Sequence, residues 1–381
     1  MDLRDNSEEA AFRAELRAWL DANLPDAKRG GRGGAQRFDD PFGREWSRLL
    51  HEAGYAGLTW PKEYGGSGAP YSFQAILYEE LARAQAPSHV GVIGLGMAGP
   101  TIIAHGSEAQ KQAHLEKTLS AAEIWCQGFS EPDAGSDLAA ARTRAERRGD
   151  VYVVNGQKVW SSFAHIADFC ILVTRSDPEA PRYKNLTYLI VDMHSPGVEV
   201  RPLRQITGEA EFNEIFFNDV EVPVDNRLGE EGEGWQVAMT TLLHERATLG
   251  FALTAGLESG VLRLLDLARD HVDGDDALRG RVGAEWIELQ ALRYTNYRSL
   301  GTYQRTGIPG PEGSAIKLRW SEQNQRMTKL ARELRGGDGI LDDGWWHYQQ
   351  LRSRGNTIEA GTSEVLRNII AERVLGLPRS R

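Results

Sequence analysis

Two stretches of this chain hold residues whose types and spacing can do chemistry. The first runs from Trp125 to Ser162. Gly128, Ser130, Pro132, Gly135 and Ser136 crowd into one irregular segment, which offers backbone amides and hydroxyls as donors. A charged link then leads into VYVVNGQKVWSS, where Val151, Val153 and Val154 precede Asn155-Gly156, and Val159 and Trp160 follow. Asn-Gly tolerates the positive backbone angles of a two-residue turn, so this pattern predicts a β-hairpin turning at Asn155-Gly156. Such a scaffold would present an indole and several hydroxyls to a flat, polar-edged ligand.

The second stretch surrounds Glu245. Ala238, Leu242, Glu245, Leu249 and Leu253 follow spacings of 4, 3, 4 and 4, which set one carboxylate on an otherwise apolar helical stripe. A charge there is costly unless it is paired or functional. It is therefore either half of a buried ion pair or a reactive acid–base group.

Two other motifs imitate sites. Gly94-Leu95-Gly96-Met97-Ala98-Gly99 has the letters of a dinucleotide fingerprint. A nicotinamide dehydrogenase built on it would need a preceding strand and a downstream acidic residue. Instead Pro100 follows directly and the next thirty residues read as helix, so close helix packing at glycines is expected. His244-Glu245-Arg246-Ala247-Thr248 begins like a zinc motif but has Thr248 at the second ligand position, so no metal site is expected.

The elements that must position these residues change type twice along the chain. Phe12, Leu16, Trp19 and Leu20 predict a helix over 7–24, and helical patterns resume over 43–53, 72–85 and 107–121. Between them Gly30-Gly31-Arg32-Gly33-Gly34 reads as a connector. From about 123 to 227 short β-rich runs take over, at 169–173, 187–191 and 214–217, separated by Pro, Gly and Asp signals. Beyond 235 the pattern is helical again, near 235–271, 278–305, 313–334 and 362–374. No internal repeat is apparent.

With 381 residues the chain has room for two or three units at about 100–200 residues each. Its 41% apolar and 26% charged content is that of a globular protein, and its net charge of −10 argues against nucleic-acid or anionic-membrane partners. Two cysteines, Cys126 and Cys170, are too few for a disulfide framework. The acidic, amphipathic start has no apolar signal region, and no run of about 18 apolar residues is present, so a cytoplasmic location is expected.

The motif wording resembles the acyl-CoA dehydrogenase family of flavoproteins. Ser130-Glu131-Pro132 with Ala134-Gly135-Ser136-Asp137 matches one family signature, and Asn155-Gly156-Gln157-Lys158-Val159-Trp160-Ser161-Ser162 matches a second. Gly57-Leu58-Thr59-Trp60-Pro61, Tyr64-Gly65-Gly66, Gly232-Glu233-Gly234-Trp235 and Gly361-Thr362-Ser363-Glu364 extend the likeness over nearly the whole chain. The resemblance implies an α+β fold in three domains: α-helical over 1–122, a β-barrel or sandwich over 123–230, and a four-helix bundle over 231–381. It also implies α,β-dehydrogenation of an acyl-CoA thioester, with hydride passing to the N5 of FAD and electrons leaving to an electron-transfer flavoprotein.

By the same resemblance, Gln127, Phe129, Ser130, Ser136, Trp160, Ser161 and Ser162 would contact the flavin. Gly336-Gly337 would reach the FAD of a neighbouring subunit, and Thr362 and Glu364 would make later cofactor contacts. Ser136 and Arg246 would meet the substrate. Many members carry the base in a late Tyr-Glu-Gly-Thr sequence, but here alignment on Gly361-Thr362 puts Ala360 at that position. Glu245-Arg246 matches the alternative, a base on a C-terminal-domain helix, with Glu359 the runner-up one residue out of register. The backbone amide of Ala360 would still polarise the thioester.

Two departures bear on assembly. The family's Arg-x-x-Phe-Gly motif, which contacts FAD across a dimer, is replaced by acidic sequence at 268–276, and an expected Gln is Glu333. A homo-oligomer is one expectation. The other is an α2β2 heterotetramer with a paralogous subunit for bulky CoA esters such as steroid side chains, in which this chain carries the base or supports a partner's site.

Overall fold

The computed structural model describes residues 4–26, 41–306, 310–341 and 344–379, without the side chains of 246–249 and 340. The Gly30–Gly34 tract lies outside the described residues, as does the side chain of Arg246.

Helices come first: α1 (Ser7–Asn23), α2 (Pro41–Glu52), α3 (Tyr71–Arg83), α4 (Gly99–His105) and α5 (Glu108–Leu119). Eight strands follow: β1 (Trp125–Gly128), β2 (Arg144–Arg148), β3 (Val151–Ser162), β4 (Phe169–Arg175), β5 (Leu186–Asp192), β6 (Val198–Leu203), β7 (Phe212–Pro223) and β8 (Arg227–Leu228). The chain then returns to helix in α6 (Gly234–Ala268), α7 (Asp276–Thr306), α8 (Glu312–Leu334), α9 (Asp338–Leu341), α10 (Trp345–Asn356) and α11 (Ser363–Ile369). Helix, strand, helix is the order expected. Helix α10 was not expected.

The chain divides into two compact units. One, over 1–36, 69–87 and 246–381, is helical. Its first helix starts at a capping box, Asn6 accepting from the Glu9 amide while the Glu9 carboxylate accepts from Asn6. Helices α1 and α3 are joined at Glu80, a buried carboxylate that Arg13, Arg17 and Arg83 all contact. Burial alone would raise its pKa, yet these guanidiniums hold it down at about 2. Leu257, Val261, Leu264, Leu289, Ile316, Met327 and Leu330 form the apolar centre of this unit.

The other unit, over 37–68 and 88–245, holds the sheet. The strand order is β6-β7-β3-β2-β4-β5-β8, and β1 pairs with β4 in parallel. One core cluster includes Trp60, Met97, Trp125, Phe129, Tyr188, Val237 and Ala238, and a second includes Tyr152, Leu172, Val191 and Phe217.

The hairpin expected at Asn155-Gly156 is absent, because β3 runs straight through both residues. The turn falls earlier, at Gly149-Asp150, where Arg148 pairs with Val151 and Gly149 takes a φ of 63°. Asn155 instead exchanges two hydrogen bonds with Asp219: its Nδ2 donates to Asp219 Oδ1 at 2.9 Å, and its Oδ1 accepts from the Asp219 amide at 3.0 Å. Gly156 sits at a register shift in the β3–β7 ladder, with φ 152°, where a Cβ would lie 2.7 Å from the Thr143 Cα. That glycine serves close approach at a bulge, a use that the same dipeptide does not distinguish from a turn.

Gly94–Gly99 lies within helix, as its flanking sequence implies. A Cβ on Gly99 would come within 2.0 Å of the Trp60 ring, and one on Gly94 within 2.7 Å of Thr118. Helix α6 is long and apolar enough to cross a membrane by length and composition, with a mean hydropathy of 1.2 over its best window. Its Val237, Ala238, Val261 and Leu264 are buried in the two units' own clusters, as in a core helix.

Gly99→Ala should therefore lower the free energy of unfolding by about 1–3 kcal/mol through overpacking against Trp60. The urea midpoint checks this, and an unchanged midpoint would contradict the packing role.

Candidate active site

In the sheet-bearing unit the two motifs are stapled together by a buried ion pair. Lys158 is completely buried, and its Nζ donates to Glu131 Oε1 at 2.8 Å and to the Phe129 carbonyl at 3.0 Å. The same carboxylate accepts from the amides of Arg142 at 2.7 Å and Thr143 at 2.8 Å. One residue along, the Val159 amide donates to the Ser130 carbonyl at 2.9 Å. Burial pushes Glu131 towards the neutral form, but the ammonium of Lys158 and the amide donors outweigh it and hold the carboxyl below its ordinary value. Sequence reading missed this pair: a lysine and a glutamate inside signatures read as surface residues unless both faces of β3 are known to be covered.

Beyond Lys158 the β3–β7 register shifts again. Trp160 has φ 60° and leaves its indole 60% exposed, with Phe212 edge-on at 6.2 Å. Phe163 also has φ 60°, so two non-glycine residues in left-handed conformation bracket Ser161 and Ser162. Such positions cost about 1–3 kcal/mol each and gather where ligands bind. The Ser161 hydroxyl is buried and has no protein partner, while its carbonyl accepts from Asn213 Nδ2 at 3.1 Å. Among the described residues, the side chains of Gln127, Ser130 and Ser162 have no protein hydrogen-bond partner. Ser136 is exposed on the loop after Glu131. An exposed indole beside uncommitted donors suits the flat, polar-edged flavin that the motif resemblance implies.

Glu245 belongs to the same unit and is 8% exposed on α6. The turn before it is anchored by buried hydroxyls: Thr241 Oγ1 lies 2.9 Å from both Tyr188 Oη and Thr101 Oγ1. His105 bonds Thr240 at 2.8 Å. Burial lowers the pKa of His105 and of His244, so both imidazoles are neutral near pH 7.

The helical unit carries the remaining residues. Glu359 is committed to its own surroundings: Arg352 approaches both carboxylate oxygens, at 2.8 and 3.2 Å, and Asn356 Nδ2 donates at 2.7 Å. Ala360 has φ 52°, and among the described residues its amide has no protein acceptor. Lys317, buried, holds this loop by donating to the carbonyls of Asn356 and Gly361, each at 2.8 Å. Thr362 caps α11 through the Val365 amide at 3.2 Å, and Glu364 is exposed. Gly336 and Gly337 are exposed after α8, with Gly336 at φ 54°. Glu333 pairs with Arg281 at 2.5 Å.

Comparison with known proteins gives one answer. Models of the acyl-CoA dehydrogenase N-terminal, middle and C-terminal domains match residues 6–122, 126–220 and 232–375. The chain is 42% identical over 97% of its length to acyl-CoA dehydrogenase IpdE1 of Mycobacterium tuberculosis, of which 97% is covered. Among solved structures it resembles the Tcur3481-Tcur3483 steroid ACAD at 32% identity, with a TM-score of 0.88 and full coverage of both chains. It also resembles the ChsE4-ChsE5 complex from Mycobacterium tuberculosis at 29% identity and a TM-score of 0.87, again over the whole of both chains.

Removing one member of the buried pair should be severe. Glu131→Gln strands a buried ammonium and should cost about 3–5 kcal/mol of stability, whereas Glu131→Gln combined with Lys158→Met should recover much of the loss. The carboxylate's contribution exists above its ordinary unfolded pKa and is lost as pH falls through the lower folded one. Acid titrations of unfolding should thus show a smaller drop below about pH 4.3 in the Gln variant than in wild type.

Proposed function

Because the chain belongs to the acyl-CoA dehydrogenase family of FAD-dependent oxidoreductases, we propose that it converts an acyl-CoA thioester to the 2-enoyl-CoA with Glu245 as the base. The observation that carries this assignment is a carboxylate buried on α6, at a position that the sequence spacing aligns with Ala238 and Leu242. The late position that usually supplies the base is Ala360, and the nearby Glu359 has both oxygens engaged by Arg352. A poorly solvated carboxylate is a stronger base than one in water, which suits removal of a Cα proton.

FAD, when bound, supplies the acceptor for the hydride that leaves Cβ. The residues assigned to hold it are Gln127, Phe129, Ser130, Ser136, Trp160, Ser161 and Ser162, with Gly336, Gly337, Thr362 and Glu364. The amide of Ala360 is assigned to the thioester oxygen, where a donor aimed at developing charge contributes about 3–4 kcal/mol. Ser136 and Arg246 are assigned to the CoA ester. An electron-transfer flavoprotein is the proposed electron acceptor, and 1–122, 123–230 and 231–381 the proposed domains.

A second reading is favoured by specific observations: this chain is one subunit type of a heteromer acting on bulky CoA esters. The steroid ACAD and the ChsE4-ChsE5 complex are full-length matches. The 268–276 segment is acidic where a cation for cofactor phosphates is expected, and Glu333 is occupied by Arg281. Flavin per chain and native mass, measured for the protein alone and after co-expression with its genomic neighbour, separate the two arrangements. A stable, flavin-loaded complex of this chain alone rejects the heteromer.

Glu245→Gln should keep the flavin absorbance yet lose about 10²–10⁴-fold in turnover with an artificial acceptor. Glu359→Gln should retain turnover. Activity of Glu245→Gln near the wild-type rate would remove the assignment.

A further inference from the structure

The segment that carries Phe129 and the helix that carries Glu245 meet at one buried side chain. Tyr188, on β5, is completely buried. Its ring meets Phe129 edge-on, with centroids 5.8 Å apart at 89°. Its hydroxyl lies 2.9 Å from Thr241 Oγ1, four residues before Glu245 and so on the same face of α6, one turn away.

The three hydroxyls form one hydrogen-bonded row. Thr101 donates to the Met97 carbonyl at 2.7 Å, Thr241 Oγ1 lies 2.9 Å from Thr101 Oγ1 and 3.1 Å from the Val237 carbonyl, and Tyr188 Oη lies 2.9 Å from Thr241 Oγ1. Burial raises the Tyr188 pKa, which keeps the phenol protonated at the head of the row. It belongs to an apolar cluster that also includes Trp60, Ile190, Val237 and Ala238. Three hydroxyls in such a cluster cost desolvation that valine and phenylalanine would avoid. What they add is direction: a hydrogen-bonded row tolerates only one axial height and one rotation of the helix it grips, whereas apolar contacts tolerate several.

We propose that Tyr188, acting through Thr241, is the positioning residue that sets Glu245 relative to the Phe129–Ser130 segment. This rests on Glu245 being the base. Proton abstraction is sensitive to such placement, because a displacement of about 1 Å costs about 100-fold in rate.

Tyr188→Phe keeps the ring and deletes the hydroxyl. Thr241→Val deletes the acceptor, and Thr241→Ser restores it. The expected result for Tyr188→Phe and Thr241→Val is a fall in kcat of about 10- to 100-fold with KM and flavin content nearly unchanged. The primary isotope effect with α-deuterated acyl-CoA should rise, amide exchange over 238–245 should quicken, and Thr241→Ser should recover most of kcat. Full kcat in Tyr188→Phe with unchanged amide exchange overturns the proposal. So does a loss of kcat that only tracks lost flavin or a lowered Tm, without a change in isotope effect. Should Tyr188→Phe fail to fold, the Thr241→Val and Thr241→Ser pair gives the same decision. Glu245→Gln separates the two readings: if it is active, the base assignment fails. If it is inactive while Tyr188→Phe is unimpaired, only the positioning role fails.

Discussion

The ion pair between Lys158 and Glu131 is the constraint on which the site-bearing unit depends. Taking two charges out of water costs several kcal/mol per ion, and their attraction offsets this only when the remaining donors and acceptors are satisfied. Here most are: the carboxylate accepts two backbone amides besides the ammonium, and the ammonium also reaches the Phe129 carbonyl. Four stretches of chain are thereby fixed at once, those at 129, 131, 142–143 and 158. Buried pairs of this kind add less stability than geometry. The geometry they fix is the line Phe129–Ser130, and beside it the start of the bulge that turns Trp160 outward.

A rigid anchor next to strained backbone is what a binding surface requires. Trp160 and Phe163 hold left-handed angles because both ends of their segment are tied, one through Lys158 and the other through the Phe163 amide, which donates to the Glu211 carbonyl at 2.7 Å. With the backbone held, Ser161, Ser162 and the indole need not spend their own hydrogen bonds on folding. The same economy recurs in the helical unit, where Lys317 grips the 356–361 loop and leaves the amide of Ala360 uncommitted.

How far this was legible in sequence depended on what each residue had to satisfy. The order of helices and strands followed from apolar periodicity, and Gly94–Gly99 was correctly read as packing because Pro100 and a helical continuation excluded a strand–turn–helix. The Asn155-Gly156 hairpin failed because a bulge and a turn ask for the same permissive residues, and only the partner strand decides between them. Helix α10 escaped notice because its buried positions are Tyr348, Ser353 and Asn356 rather than an apolar stripe. It is held by polar contacts such as Gln325 Nε2 to the Ser353 carbonyl. Lys158 and Tyr188 were invisible as site residues for a related reason: each acts through a partner far away in sequence.

That leaves the choice between the two late carboxylates, which sequence alone narrowed but did not close. A base must be able to give up its existing partners when it accepts a proton. Glu359 accepts a bidentate guanidinium and an amide, so protonating it would weaken the charge-assisted bonds of the 352–359 turn. Glu245 projects from a continuous helix whose previous turn is held by hydroxyls rather than by the carboxylate itself. The proposed base is thus separate from the hydroxyls that anchor its helix.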